Sequence, residues 1–200
     1  MLERKIGFER DRLLVWLIVV ATIPAAAAGV LLEHHVETVF RQPLLVAISL
    51  ALLGFLLYWI DGAYAASRTT DELGFKDAIW IGVAQACALF PGVSRSGATI
   101  TMGRMRGMTR DAATRFAFLL AFPITLGAFV HKLPEVRALA GSEQLPWLQL
   151  AVGFVSSAVW GLIAIHGLIS YVRIADFRLF AWYRLVLAVV VVIWSVLCRC

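Results

Sequence analysis

The sequence predicts an all-α, polytopic membrane helix bundle with a re-entrant helix-loop-helix, and three observations predict it. Hydrophobic residues fill 61% of the 200 positions and charged ones 16%, with a mean hydropathy of +0.84. Soluble domains are nearer half apolar and a quarter charged. Several apolar runs are long enough to cross about 30 Å of hydrocarbon. One further segment, residues 75–106, is apolar at its start but broken in its middle by Pro91-Gly92.

In chain order, the first span covers residues 13–32 behind a charged loop carrying Arg4, Lys5, Arg10 and Arg12. Basic residues before an apolar run that reaches Ala25 to Ala28 also fit a signal peptide with a small-residue cleavage site. The run continues to Leu32 and further spans follow, which favours an uncleaved helix. The other spans are 44–60, 112–130, 147–171 and 179–197. Thr109 can cap the helix that follows it, with Asp111 in the first turn where the dipole favours an acid. Pro123 is expected to kink that helix. Trp147, Tyr171, Trp182 and Tyr183 fall near span ends, as interfacial aromatics do. No internal repeat or low-complexity segment divides the chain, so residues 1–200 read as a single integral membrane domain.

Segment 75–106 needs its own reading. The stretch from Ala78 to Phe90 is short for a crossing, and Pro91-Gly92 removes a backbone donor and opens the dihedrals, ending a first half-helix. A second short stretch follows, about 97–105. Irregular backbone at membrane depth survives only where protein or a polar cavity surrounds it, so a re-entrant hairpin over 75–106 is the economical reading. One continuous kinked helix is the alternative. Charge favours the hairpin. With the N-terminus cytoplasmic and the C-terminus periplasmic in a bacterial inner membrane, the inside segments hold Arg4, Lys5, Arg10, Arg12, Arg68, Lys76, Arg104, Arg106, Arg110, Arg173 and Arg178, and the outside ones only Arg41, Lys132, Arg137 and Arg199. A full crossing would put Arg104, Arg106 and Arg110 outside.

The formal charge of +5 does not imply nucleic acid, because the basic residues fall between hydrophobic runs instead of forming a stripe with interleaved aromatics. Membrane lipids and anionic headgroups or substrates are the expected partners. Cys87, Cys198 and Cys200 have no paired or metal-type spacing. His34 and His35, beside Glu33 and Glu37, read as a solvated loop in preference to a metal site. His166 reads as a bundle-facing hydrogen-bonding residue, and Asp71, Glu72 and Asp77 as solvated or helix-end acids.

The polar tip, Phe90 to Thr99, reads FPGVSRSGAT. A half-helix beginning near Ser96 or Gly97 would aim free backbone N–H groups and its positive end at the turn. Arg95 adds a planar fork of donors suited to phosphate oxygens. Ser94, Ser96 and Thr99 add hydroxyls, and Gly92 and Gly97 allow close backbone approach. Together they suggest a phosphate cradle at membrane depth. Against it stands the reading that Arg95 snorkels and the serines satisfy backbone groups freed by a kink. Snorkelling accounts for Arg104 and Arg106 but leaves the hydroxyl cluster unused.

The stretch GVAQACALFPGVSRSGATIT, followed by GMTRDAATRFAFLLAFP, resembles the second signature region of the undecaprenyl-diphosphate phosphatase family, the bacitracin-resistance type. That resemblance implies an inner-membrane hydrolase converting undecaprenyl diphosphate to the monophosphate, which recycles the lipid carrier for cell-wall synthesis. It implies a fold of two inverted repeats, each with a re-entrant hairpin, of which this chain resembles the second half. It makes Arg95 the diphosphate-binding arginine, with Ser94 and Thr99 catalytic beside it. Gly92, Ser96, Gly97 and Gln85 complete the substrate site by the same implication. A divalent cation, Mg or Ca, is implied as well, with its ligands outside this chain; a homodimer is left open. The family's other signature, E-x-x-x-E followed by P-x-S-S-x-G-H, has no match here. The expectation is an N-terminally truncated chain, with a degenerate paralogue or a split protein as alternatives. A polyprenyl-phosphate transporter or flippase, or an inactive remnant, is the alternative function.

Overall fold

The computed structural model describes residues 2–38, 42–64, 66–140 and 147–197, with side chains from residue 9 and excluding 33–38 and 135–140. Seven helices follow in order: α1 (Leu2–Thr38), α2 (Pro43–Ala63), α3 (Phe75–Cys87), α4 (Arg95–Met105), α5 (Arg110–Ala140), α6 (Trp147–Val172) and α7 (Arg178–Leu197). A single turn of 3-10 helix, Thr70–Glu72, precedes α3. No strand forms among the described residues; Arg68 and Met108 make one isolated bridge. Among the described residues, five helices are long and apolar enough to cross a membrane, at Glu9–Leu32, Pro43–Ala63, Arg110–Pro134, Trp147–Val172 and Arg178–Leu197.

Local chemistry sets the boundaries. Pro43 opens α2, where its missing N–H and fixed φ suit the first turn. Thr109 Oγ1 accepts from the Ala112 N–H at 3.2 Å, the cap expected for α5. Two expectations fail at the N-terminus. The charged stretch is helical, because Leu, Glu, Lys and Arg are strong helix formers and Arg12 pairs with Glu9 one turn away. The helix also runs through His34 and His35 to Thr38, so these histidines are in no loop. The side chains of Glu33, His34, His35, Glu37 and Arg137, and all of Arg41, Cys198, Arg199 and Cys200, lie outside the described residues.

α3 and α4, of 13 and 11 residues, are about 20 and 16 Å long at 1.5 Å per residue, each too short for a crossing. They form a hairpin whose two ends meet. Asp77, in the first turn of α3, accepts from Arg106 Nε at 2.7 Å, just past the end of α4, and from Arg68 at 2.8 Å. The break comes earlier than Pro91: the N–H groups of Ala88, Leu89 and Phe90 already bond three residues back, since the residue before proline avoids the α conformation.

The same end of the bundle carries a girdle of buried charge. Asp61, at the end of α2, accepts from Arg110 Nε at 2.9 Å, lies 3.0 Å from Arg104 Nε and also accepts from the Phe177 N–H ahead of α7. Arg173 after α6 donates to Asp111 in α5. Arg104 and Arg106 therefore do not snorkel: buried carboxylates hold both. Asp77 is a helix-end acid but not a solvated one, at 4% exposure.

The core lies among α1, α3, α4 and α5, with Leu17, Ile81, Ile100, Phe116 and Leu120 buried in it. A Cβ on Gly82 would collide with the Ala21 backbone, so α1 and α3 pack at backbone contact, as small residues permit. α7 packs along α2. α6 lies alongside α5, meets α7 through the Tyr171 and Phe180 rings, and buries only Val172. His166 is exposed and not bundle-facing, on a helix that buries only its last residue.

Candidate functional site

A cavity of about 340 Å³ opens between the hairpin and helices α2, α6 and α7. Its polar end is formed by Gly92, Ser94, Ser96 and Gly97 from the hairpin tip and by Arg184 from α7. Gly92 has φ +90°, and an added Cβ would sit 2.5 Å from the Val46 carbonyl oxygen; only glycine fits that turn. Ser94 is the N-cap of α4, its Oγ accepting from the Gly97 N–H at 3.2 Å. The helix thus starts at Arg95, one or two residues before the expected Ser96 or Gly97, because a serine with extended backbone is a good cap. The first helical bond runs from Ala98 N to Ser94 O, so the N–H groups of Arg95 and Ser96 are among those a helix start leaves for other acceptors.

Arg184 dominates the electrostatics. It is 7% exposed inside an apolar span. Its Nη2 donates to the Gly92 carbonyl at 2.8 Å, and its Nη1 would lie 2.5 Å from a Cβ on Gly97. Its Nε is buried with no hydrogen-bond partner, and no carboxylate among the described residues pairs with it. An uncompensated buried guanidinium is costly; beside hydroxyls and a helix N-terminus, it forms a niche for an anion.

The structure brings Gly92, Ser94, Ser96 and Gly97 together and places the other expected residues elsewhere. Arg95 is exposed and donates through Nη1 to Thr125 Oγ1 on α5 at 3.2 Å. Thr99 is buried off the cavity, its hydroxyl donating to the Arg95 carbonyl at 2.9 Å and brought against that of Ser96. Gln85 is buried on α3 with neither amide atom hydrogen-bonded. Sequence reading passed over Arg184, although an ionisable residue inside an apolar span is itself a signal.

A divalent cation finds no home among the described residues. No group of three His, Cys, Asp or Glu side chains converges, and arginines hold the buried carboxylates Asp61 and Asp77.

Comparison with known proteins adds a second line. The bacitracin resistance protein BacA family matches residues 2–190. The chain is similar to an undecaprenyl-diphosphatase of Rubrobacter xylanophilus, 46% identical over 184 residues, which covers 92% of this chain and 67% of that one. A relative of the same description from Caldicellulosiruptor bescii is 44% identical over 185 residues, covering 92% and 69%. Another, from Pelotomaculum thermopropionicum, is 42% identical over 190 residues, covering 95% and 70%.

Proposed function

We infer that this chain, which belongs to the bacitracin resistance protein BacA family, acts as an undecaprenyl-diphosphatase, a membrane hydrolase releasing phosphate from a lipid diphosphate. The observation that carries the reading is the unpaired, buried Arg184 facing the serine-lined start of α4. A diphosphate head is doubly anionic or more and offers several acceptor oxygens. Arg184 Nε and Nη1, the Ser96 hydroxyl and the first N–H groups of α4 are donors of the kind it needs.

In phosphoanhydride cleavage a water oxygen bonds to the terminal phosphorus, the bridging P–O bond breaks, and charge grows on the leaving phosphate. Donors already fixed around the head stabilise that charge without reorganising. The lining supplies no carboxylate and no histidine, so the proton of the attacking water goes to a base outside it. Arg95 stands on the exposed side of the tip, where its fork extends the positive field around the head.

For the membrane arrangement, we propose that the hairpin re-enters from the cytoplasmic side of a bacterial inner membrane, with the charged girdle cytoplasmic. The meeting of Asp77 and Arg106 across the hairpin's base supports a return to the side of entry, as does the positive-inside rule. A broken helix with its N-terminus aimed at an anion is also how transporters hold substrate, which makes transport the second reading. The test is phosphate release from undecaprenyl diphosphate by the purified protein in detergent, beside lipid movement across sealed vesicles. Release supports hydrolysis. Movement without release overturns it in favour of transport.

A further inference from the structure

We propose that a second, polar pocket at the charged end of the bundle binds a phosphate group, carried by an anionic phospholipid headgroup or free as inorganic phosphate. The pocket has a volume of about 540 Å³ and shares no lining residue with the cavity beneath Arg184. It forms where the ends of α2, α4 and α6 meet the start of α5. Its binding is independent of whether the other cavity hydrolyses a lipid diphosphate.

Donors and acceptors are out of balance in this pocket. Asp61 and Asp111 are the two acids of the lining, and arginines already occupy both oxygens of each. Arg110 Nε donates to the two Asp61 oxygens at 2.9 and 3.1 Å, the Phe177 N–H donates to one of them, and Arg104 Nε lies 3.0 Å from the other. Asp111 accepts from Arg173 Nε on one oxygen and from Arg115 Nε on the other. Four guanidinium groups thus share two carboxylates, and the nearby Asp176 is taken by Arg178 at 3.2 Å.

Arg110 and Arg173 spend only their Nε on these acids. The Nη groups of both have no hydrogen-bond partner among the described residues, and both side chains line the pocket. Thr109 Oγ1 accepts from the Ala112 N–H, which leaves its own proton to donate. The unspent capacity is donors and positive charge, so a cation finds no free ligand here and an anion with several oxygens does. A phosphate group suits two guanidinium forks, and the volume leaves room beside it for the rest of a headgroup. The spans end at this level, where a bilayer carries its headgroups, and basic pockets between spans hold anionic lipid in this way.

The experiment titrates phosphatidylglycerol, with phosphatidylcholine beside it, into the 200-residue chain in detergent and counts bound lipid by native mass spectrometry. Phosphatidylglycerol is expected to bind the tighter, and Arg173→Gln to raise its half-saturating concentration about tenfold, the scale of lost hydrogen bonds to a charged group. Arg115→Gln also removes a partner of Asp111, but Arg115 does not line the pocket, so half-saturation there stays within about twofold. Should Arg173→Gln fail to fold, Arg173→Lys, which keeps the charge and loses the fork, replaces it with the same direction of change. A second arm dialyses the Arg184→Ala protein, stripped of the other anion niche, against labelled inorganic phosphate. Retention that falls when Arg173→Gln is added identifies free phosphate as a ligand; preference for phosphatidylglycerol without such retention identifies the headgroup. Equal binding of the two lipids with no phosphate retained, binding of both probes that ignores Arg173→Gln, or equal weakening by Arg115→Gln overturns the site.

Discussion

Arg184 is buried in an apolar helix without a carboxylate, yet it bonds a carbonyl of the hairpin tip. Its substitution separates binding from folding. Arg184→Ala is expected to lower kcat/KM for the lipid diphosphate by 100-fold or more, the ~3 kcal/mol scale of a fixed donor to a charged group. Arg184→Lys keeps the charge but not the fork and falls between, which a steady-state phosphate assay measures. Arg184 was legible as an anomaly, a charge in hydrocarbon, whereas its partner Gly92 was not, because 92 residues separate them. Asp77 makes the complementary case. Burial raises its pKa, but hydrogen bonds from Arg68, the Gly74 N–H and Arg106 outweigh burial and hold it below the ordinary carboxylate value. A depressed folded-state pKa gives stability that is present above the unfolded value, near 3.9, and is lost as pH falls through the folded one. Melting temperature in detergent should therefore drop on acidification below about pH 4, and Asp77→Asn should lower it at neutral pH and flatten that drop.

Among the elements, the hairpin is decided by a few residues of its turn. Gly92 holds a positive φ against the Val46 carbonyl, and Ser94 caps α4. Gly92→Ala adds a Cβ where backbone already stands, in a conformation alanine rarely adopts. It is expected to destabilise the protein by about 1–3 kcal/mol and to lower turnover further by moving Ser94 and Ser96, shown by thermal unfolding beside phosphate release. The turn and the two half-helices were readable because proline and glycine act locally. The end of α3 at Cys87 was less so, since it depends on how tightly the chain winds before Pro91. The five spans were readable because the bilayer fixes their length. The helical N-terminal stretch and His34–His35 segment were misread as loops, because charge and polarity alone do not separate a solvated helix from a loop.

At the scale of the molecule, one end of the bundle gathers the start or finish of every helix around Asp61, Asp77, Asp111 and their arginines. Arg10 near the start of α1 reaches Asp71 there as well, at 3.6 Å. Such pairing was beyond sequence reading, which took Arg104 and Arg106 as snorkelling, because a charge near a span end looks alike whether it reaches water or a buried acid. If the hairpin returns to its side of entry, Lys76→Cys and Met105→Cys in intact cells react with a membrane-impermeant thiol reagent from one side only, the same side. A kinked crossing exposes them on opposite sides. Above these stands the contact between Arg184, the serine turn and a diphosphate head. Its direct measurement is a structure of the protein in lipid with a non-hydrolysable prenyl bisphosphonate. The account predicts phosphonate oxygens within hydrogen-bonding distance of Arg184 and Ser96. Phosphonate density away from the hairpin tip, with no phosphonate oxygen at Arg184, would contradict it.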